Sequence, residues 1–170
     1  MLERLKEFRK QYELSSLDQL WLMIDTDRWP EEALSDVARQ AKEQQFRLAI
    51  SNPCFEIWLW CHFQPLPDGT VTCRQVKQNL RTFLGGYNSS HFDPQPFLER
   101  VAHACQEARK RPVPAGERWP HQVGTQVYLV MEEILQWLAP HPAATGQGAE
   151  RTTTPAGSGP GLPGPGRRSR

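Results

Sequence analysis

No stretch of this 170-residue chain approaches the ~18 uninterrupted apolar residues of a membrane-spanning helix. The opening Met1-Leu-Glu-Arg-Leu-Lys6 puts charges where a signal peptide would carry its apolar region. Both absences point to a cytoplasmic protein that does not engage a membrane. An excess of charge of one sign is also missing. The formal net charge is +1, and because residues 140–170 hold four Arg and one Glu, 16 basic residues face 18 acidic ones in the rest. Such a balance excludes a global field that gathers nucleic acid, so any contact with phosphates would rest on a local patch or a bound metal. Cysteine is scarce. Cys54, Cys61, Cys73 and Cys105 contain no CxxC spacing and read as buried free thiols of a reducing compartment. A zinc site drawn from Cys54, Cys61, His62 and Cys73 has the wrong ligand spacing for a known knuckle.

Large apolar residues run out at the end of the chain. Residues 140–170 hold 6 Pro, 7 Gly and one large apolar side chain, Leu162. Too little apolar surface remains there to offset the entropy of ordering, which predicts a disordered tail and leaves residues 1–139 as the folded domain. The closing Arg167-Arg168-Ser169-Arg170 reads as a solvated basic end.

Within residues 1–139 the periodicity predicts an α/β fold. Leu2, Leu5, Phe8 and Tyr12 recur at helical spacing. Leu20-Trp-Leu-Met-Ile24 is five large apolar residues in a row, as in a strand covered on both faces. Pro30, Glu31 and Glu32 suit a helix start, and Leu34, Val37, Ala38 and Ala41 form its buried stripe up to about Gln45. Phe46–Ile50 reads as a second strand, and Ser51-Asn52-Pro53 as the capped start of a buried helix carrying Phe55, Ile57, Trp58, Leu59 and Trp60. Two short strands joined by a helix make a parallel, right-handed βαβ unit. Further on, a helix with Val76, Leu80, Phe83 and Leu84 ends at Gly85-Gly86. A second carries Phe97, Val101, Ala104 and Ala108. A last one runs from Thr125 to about Leu138, with Val127, Met131, Ile134 and Leu138 inward.

The topology brings two groups of polar residues to one place. Asp25 and Asp27 follow the first strand and Ser51 to Glu56 follow the second, so both lie at the carboxyl edge of the sheet, where open α/β folds bind ligands. A DxD there aims two carboxylates into one space, suited to Mg²⁺ or Mn²⁺; equally, Asp25 and Asp27 suit capping of a turn and of the next helix. Glu56 is an acid within an apolar segment, serving either the helix dipole or as a third oxygen ligand. His62 reads as a satisfied, partly buried histidine. Arg109-Lys110-Arg111, with Arg118, offers a phosphate contact or a solvated helix end.

The segment Ser51-Asn-Pro-Cys-Phe-Glu-Ile-Trp-Leu59, followed by His62-Phe63, resembles the signature of the RloB-like family, bacterial proteins of restriction-modification loci and abortive phage-infection systems. The likeness runs from about Leu20, through Asp25-Thr26-Asp27 at the family's DxD, to the Gly124-Thr-Gln-Val127 start of the last helix, and stops before the tail. It implies a small parallel Toprim-like sheet with a predominantly helical C-terminal half. It also implies Mg²⁺-dependent phosphodiester cleavage in anti-phage defence, often beside an ATPase. Asp25, Asp27 and Glu56 would then be the catalytic residues, with Asp25 and Asp27 as the metal ligands. Ser51 and Asn52 would join Arg109 and Arg111 on the substrate, a nucleic acid.

One departure stands out. Family members begin with a strand and a Glu-Gly turn that supplies another glutamate, whereas this chain opens in an amphipathic helix, where Glu3, Glu7 and Glu13 follow no strand. Two readings follow: a start codon lying upstream, or a degenerate copy that keeps a partner-binding surface without turnover. A cleft is expected where that strand would have been. Asn88 stands where the family would carry a basic residue.

Overall fold

A computed structural model describes residues 2–12, 14, 18–88, 91 and 93–139. The expected tail, residues 140–170, lies outside them, as does Glu13. The βαβ unit forms as its periodicity requires. Strand β1 (Trp21–Asp25) pairs in parallel with β2 (Arg47–Asn52), in a register that sets Ile24 opposite Ile50 and Asp25 opposite Ser51. Helix α2 (Glu31–Glu43) makes the crossover and buries Leu34, Ala38 and Ala41. Together with Leu2 of α1 (Leu2–Gln11), these residues cover Leu22, Ile24 and Ile50 in one apolar cluster.

A second apolar cluster is helical. Ile57, Trp58 and Leu59 of α3 (Glu56–Trp60) pack with Val76 and Leu80 of α4 (Cys73–Leu84). Phe97 of α5 (Gln95–Leu98), Ala104 and Ala108 of α6 (Val101–Arg109) and Val127 of α7 (Val127–Leu138) complete it. Helix α4 is closed at both ends by its own sequence. At its start Thr72 and Gln75 form a reciprocal capping box, and at its end Gly85 takes the left-handed conformation (φ 69°) that a residue without Cβ adopts freely. Thr72→Ala is therefore expected to cost about 1 kcal/mol, a drop of a few degrees in Tm by thermal melting.

The structure corrects several local expectations. The sheet is mixed: Gly124–Thr125, assigned by pattern to the last helix and the loop before it, form β3, which lies antiparallel on β2 in the order β1-β2-β3. The periodicity of a two-residue strand is too short to see. Ser51 and Asn52 extend β2 instead of capping α3, whose N-cap position is Phe55 without a side-chain bond. One predicted helix is two, α5 and α6. In α7 the inward face is Val127 and Tyr128, whereas Ile134 and Leu138 are exposed. Phe8, Tyr12 and Phe83, expected on buried stripes, are also exposed.

Candidate functional site

The DxD sits at the carboxyl end of β1, continuing into a single 3₁₀ turn at Thr26–Arg28. Neither aspartate acts as a helix cap. Asp25 makes no side-chain cap bond to that turn, and α2 starts from Pro30. The loop is stitched instead to the segment after β2. The Asp27 backbone N–H donates to the Pro53 carbonyl (3.1 Å) and Thr26 Oγ1 donates to Asn52 Oδ1 (3.1 Å), while the Phe55 backbone N–H acts on the Asp25 carboxylate. Parallel pairing of Asp25 with Ser51 makes this possible, because both strand ends then arrive at the same level.

Asp25 is partly buried and its pKa is raised from the ordinary carboxylate value. Desolvation is the main cause, opposed by the Phe55 N–H and reinforced by the negative charges of Asp27 and Glu56; Lys77 pulls the other way. Asp25 therefore feels the charge of both other carboxylates. Glu56, the first residue of α3, is buried, with 6% of its surface exposed. Its Oε1 accepts the Tyr87 hydroxyl (3.1 Å) and faces Lys77 Nζ at 3.3 Å. Burial, followed by the charge of Glu56, pushes the Tyr87 phenol up.

Two clefts flank the aspartates, each of about 320 Å³. One runs beside β1 and is lined by Met23, Asp25, Arg28, Trp29, Ser51 and Phe55. The other lies between the DxD and α4 and is lined by Asp27, Cys73, Arg74, Lys77, Gln78 and Arg81.

The remaining nominated residues divide. Ser51 is buried in the first cleft wall, its Oγ 2.8 Å from Thr125 Oγ1, and its visible role is to hold β3 against β2. Asn52 donates to the Pro120 carbonyl (3.0 Å) and faces a separate cleft of about 460 Å³ that it shares with Arg111. Arg111 reaches Asp68 (3.0 Å) and the Pro67 and Val123 carbonyls; Arg109 pairs with Glu132 (2.5 Å). Neither arginine lines a cleft that contains Asp25 or Asp27. His62 is satisfied as expected, and it is fully buried where partial burial was expected. Its Nδ1 lies 2.9 Å from the Trp58 carbonyl, and burial lowers its pKa.

The cysteine expectation holds for Cys61 and Cys105, which are buried thiols, the first pushed up to about 12 by desolvation. It fails for the other two. Cys54 and Cys73 form a disulfide with Cα atoms 5.7 Å apart, joining the segment before α3 to the start of α4. The four-residue zinc set does not assemble either. Among the described residues the tight group of metal-capable side chains is Cys54, Glu56 and Cys73, with ligand atoms within 4.8 Å of one another, and a disulfide leaves neither sulfur as a thiolate. Cys73 Sγ rests 3.7 Å from Glu56 Oε2 as a contact, having no proton to donate.

Sequence reasoning passed over Lys77, Arg74, Arg81 and Tyr87. The three cations had a visible signal, since positions 74, 77 and 81 share one face of a helix. Tyr87 had none, because its meeting with Glu56 spans 31 residues and a loop.

The profile of the RloB-like protein family matches residues 1–134, which takes in both strand ends, the DxD and the segment carrying Glu56. The chain belongs to the RloB-like family. Neither a curated protein nor a solved structure matches it. Every element that contributes to this RloB-like site, from β1 to the loop bearing Tyr87, lies inside the matched range. Among the described residues no helix is long and apolar enough to cross a membrane.

Proposed function

We propose that this RloB-like protein is a Toprim-type, metal-dependent nuclease that cleaves phosphodiesters in anti-phage defence. The observation that supports it is electrostatic. Asp25, at a strand end, lies in the field of both Asp27 beside it and Glu56 of the adjoining helix, and Lys77 bears on Asp25 and Glu56. Gathering like charges at a partly desolvated place is costly unless a further cation completes it.

The paired carboxylates of Asp25 and Asp27 are donors of the kind that Mg²⁺ or Mn²⁺ takes, whereas Glu56 groups with Cys54 and Cys73. Asp25 and Asp27 would hold the ion, and the chemistry it supplies is polarisation of the phosphoryl group and a lowered pKa for the attacking water. Glu56 would take up the proton lost by that water, its carboxylate oriented by the Tyr87 hydroxyl. An ATPase that restrains or triggers the nuclease completes the proposal.

A second reading, a non-catalytic interaction module of the same defence system, draws support from Lys77. An ammonium 3.3 Å from Glu56 already neutralises part of the acidic site without any metal.

Purified full-length protein incubated with single- and double-stranded DNA and RNA separates the two. Products are expected with Mg²⁺ or Mn²⁺, and none with EDTA or in the Asp25→Ala plus Asp27→Ala variant. Equal cleavage by that variant sinks the metal-nuclease reading. No cleavage by the unaltered protein under any of these conditions favours the module.

A further inference from the structure

The body of the chain has no net positive charge to attract nucleic acid, yet its cations are not evenly spread. On α4 the apolar residues Val76 and Leu80 face the core, and Arg74, Lys77, Gln78 and Arg81 form the opposite, solvent-facing side, which walls the cleft containing Asp27. Arg74 and Arg81 are exposed, and neither has an acidic partner among the described residues, although Arg81 Nε donates to the Tyr87 carbonyl (3.2 Å). This distinguishes them from Arg109 and Arg111, whose guanidinium groups are taken up by Glu132 and Asp68.

We propose that Arg74, Lys77 and Arg81 form a strand-binding track, which takes the phosphate backbone of a nucleic-acid strand and leads it along α4 to the aspartates. Arg74 and Arg81 are seven positions apart, about 10 Å along the helix, enough to meet two to three successive phosphates. Asp27 lines the same cleft as the three cations. The track can stay cationic beside carboxylates because Glu56 pairs only with Lys77, the middle member, while Arg74 and Arg81 keep their charge for the ligand. Guanidinium groups suit this task, since each offers paired donors to phosphate oxygens. Contacts of this kind follow the backbone and carry no base specificity, so RNA and DNA share the relevant chemistry. The role of the track as a feed to a reaction rests on the proposed nuclease reading; its affinity for a strand does not.

The test is fluorescence anisotropy with labelled 20-nucleotide RNA and DNA single strands in EDTA, titrated at several salt concentrations with the full chain. Unaltered protein is expected to bind, with affinity falling as salt rises. Arg74→Ala plus Arg81→Ala should weaken binding at least tenfold and flatten the slope of log K against log salt by roughly 0.7 for each contact removed. Arg109→Ala, which cuts a pair with Glu132, should leave it unchanged. Both arginines of the track are exposed, so an unaltered thermal melt will accompany the loss. Equal affinity and slope in the double variant, or no binding by the unaltered protein, overturns the proposal. The RNA and DNA arms show which strand is preferred. Asp25→Ala plus Asp27→Ala keeps the track and should bind as well or better; a strand bound but never cut in Mg²⁺ would sink the nuclease reading and leave the track standing.

Discussion

Asp25→Asn is expected to reduce Mg²⁺-dependent cleavage by at least about 10²–10³-fold and, in the same protein, to raise the Tm measured in EDTA at neutral pH. The two effects have one cause. Burial and the fields of Asp27 and Glu56 raise the Asp25 pKa above its unfolded value of 3.8, so the folded state prefers the protonated carboxyl. Stability from that preference is fully present below pH 3.8 and is lost as pH rises through the folded pKa. At neutral pH the unaltered, metal-free protein therefore carries an ionised carboxylate in an unfavourable place. Asparagine removes the charge and keeps an oxygen for the Phe55 N–H. The Tm gain should fade as pH is lowered towards 3.8, where the unaltered carboxyl is neutral as well. Mg²⁺ should raise the Tm of the unaltered protein and not that of the variant. Full cleavage by Asp25→Asn would remove the acid from the chemistry, and a lowered Tm at pH 7 would show that its charge is compensated after all.

Glu56 separates chemistry from structure through two substitutions. Glu56→Gln retains an amide oxygen for the Tyr87 hydroxyl and loses the charge that faces Lys77, so the fold should persist while cleavage falls about 10²-fold or more. Glu56→Ala leaves the partly buried Tyr87 hydroxyl and the Lys77 ammonium without their acceptor, and should cost an additional ~1–3 kcal/mol of stability in denaturant unfolding. Single-turnover cleavage with a Tm for each variant resolves the roles. If Glu56→Gln cleaves at the unaltered rate and only Glu56→Ala is impaired, the carboxylate serves to anchor α4 and the Tyr87 loop and takes no part in the reaction.

How much of this site was legible in the chain depended on how local each cause was. Asp25 and Asp27 follow an apolar run, and strand polarity alone sends them to the carboxyl edge; the structure adds that neither is spent on a cap. Glu56 stood out as an acid among Phe55, Ile57, Trp58 and Leu59, and it is buried. Arg109 and Arg111 drew attention because they cluster in sequence. Clustering does not report what surrounds a side chain, and the structure surrounds these two with Glu132, Asp68 and carbonyl oxygens. The basic face of α4 is less conspicuous in a linear reading, since its members are separated by the residues that turn inward. Helical spacing reveals it only once the question asked is which cations share a face.

Hydrophobic periodicity, chain-order polarity and the Ser51–Leu59 signature determined the βαβ unit, the place of the DxD and the family. These are consequences of neighbours a few residues apart, whose spacing is set by the geometry of helix and strand. Tertiary structure alone decided that Cys54 meets Cys73, that Gly124–Thr125 closes the sheet against β2, and that Tyr87 and Lys77 converge on Glu56. Each of those contacts depends on how α4 and the loops settle on the two apolar clusters. Burial of Val76 and Leu80 orients that helix, so the partners of its exposed side chains follow from packing and have no counterpart in the spacing of the residues themselves.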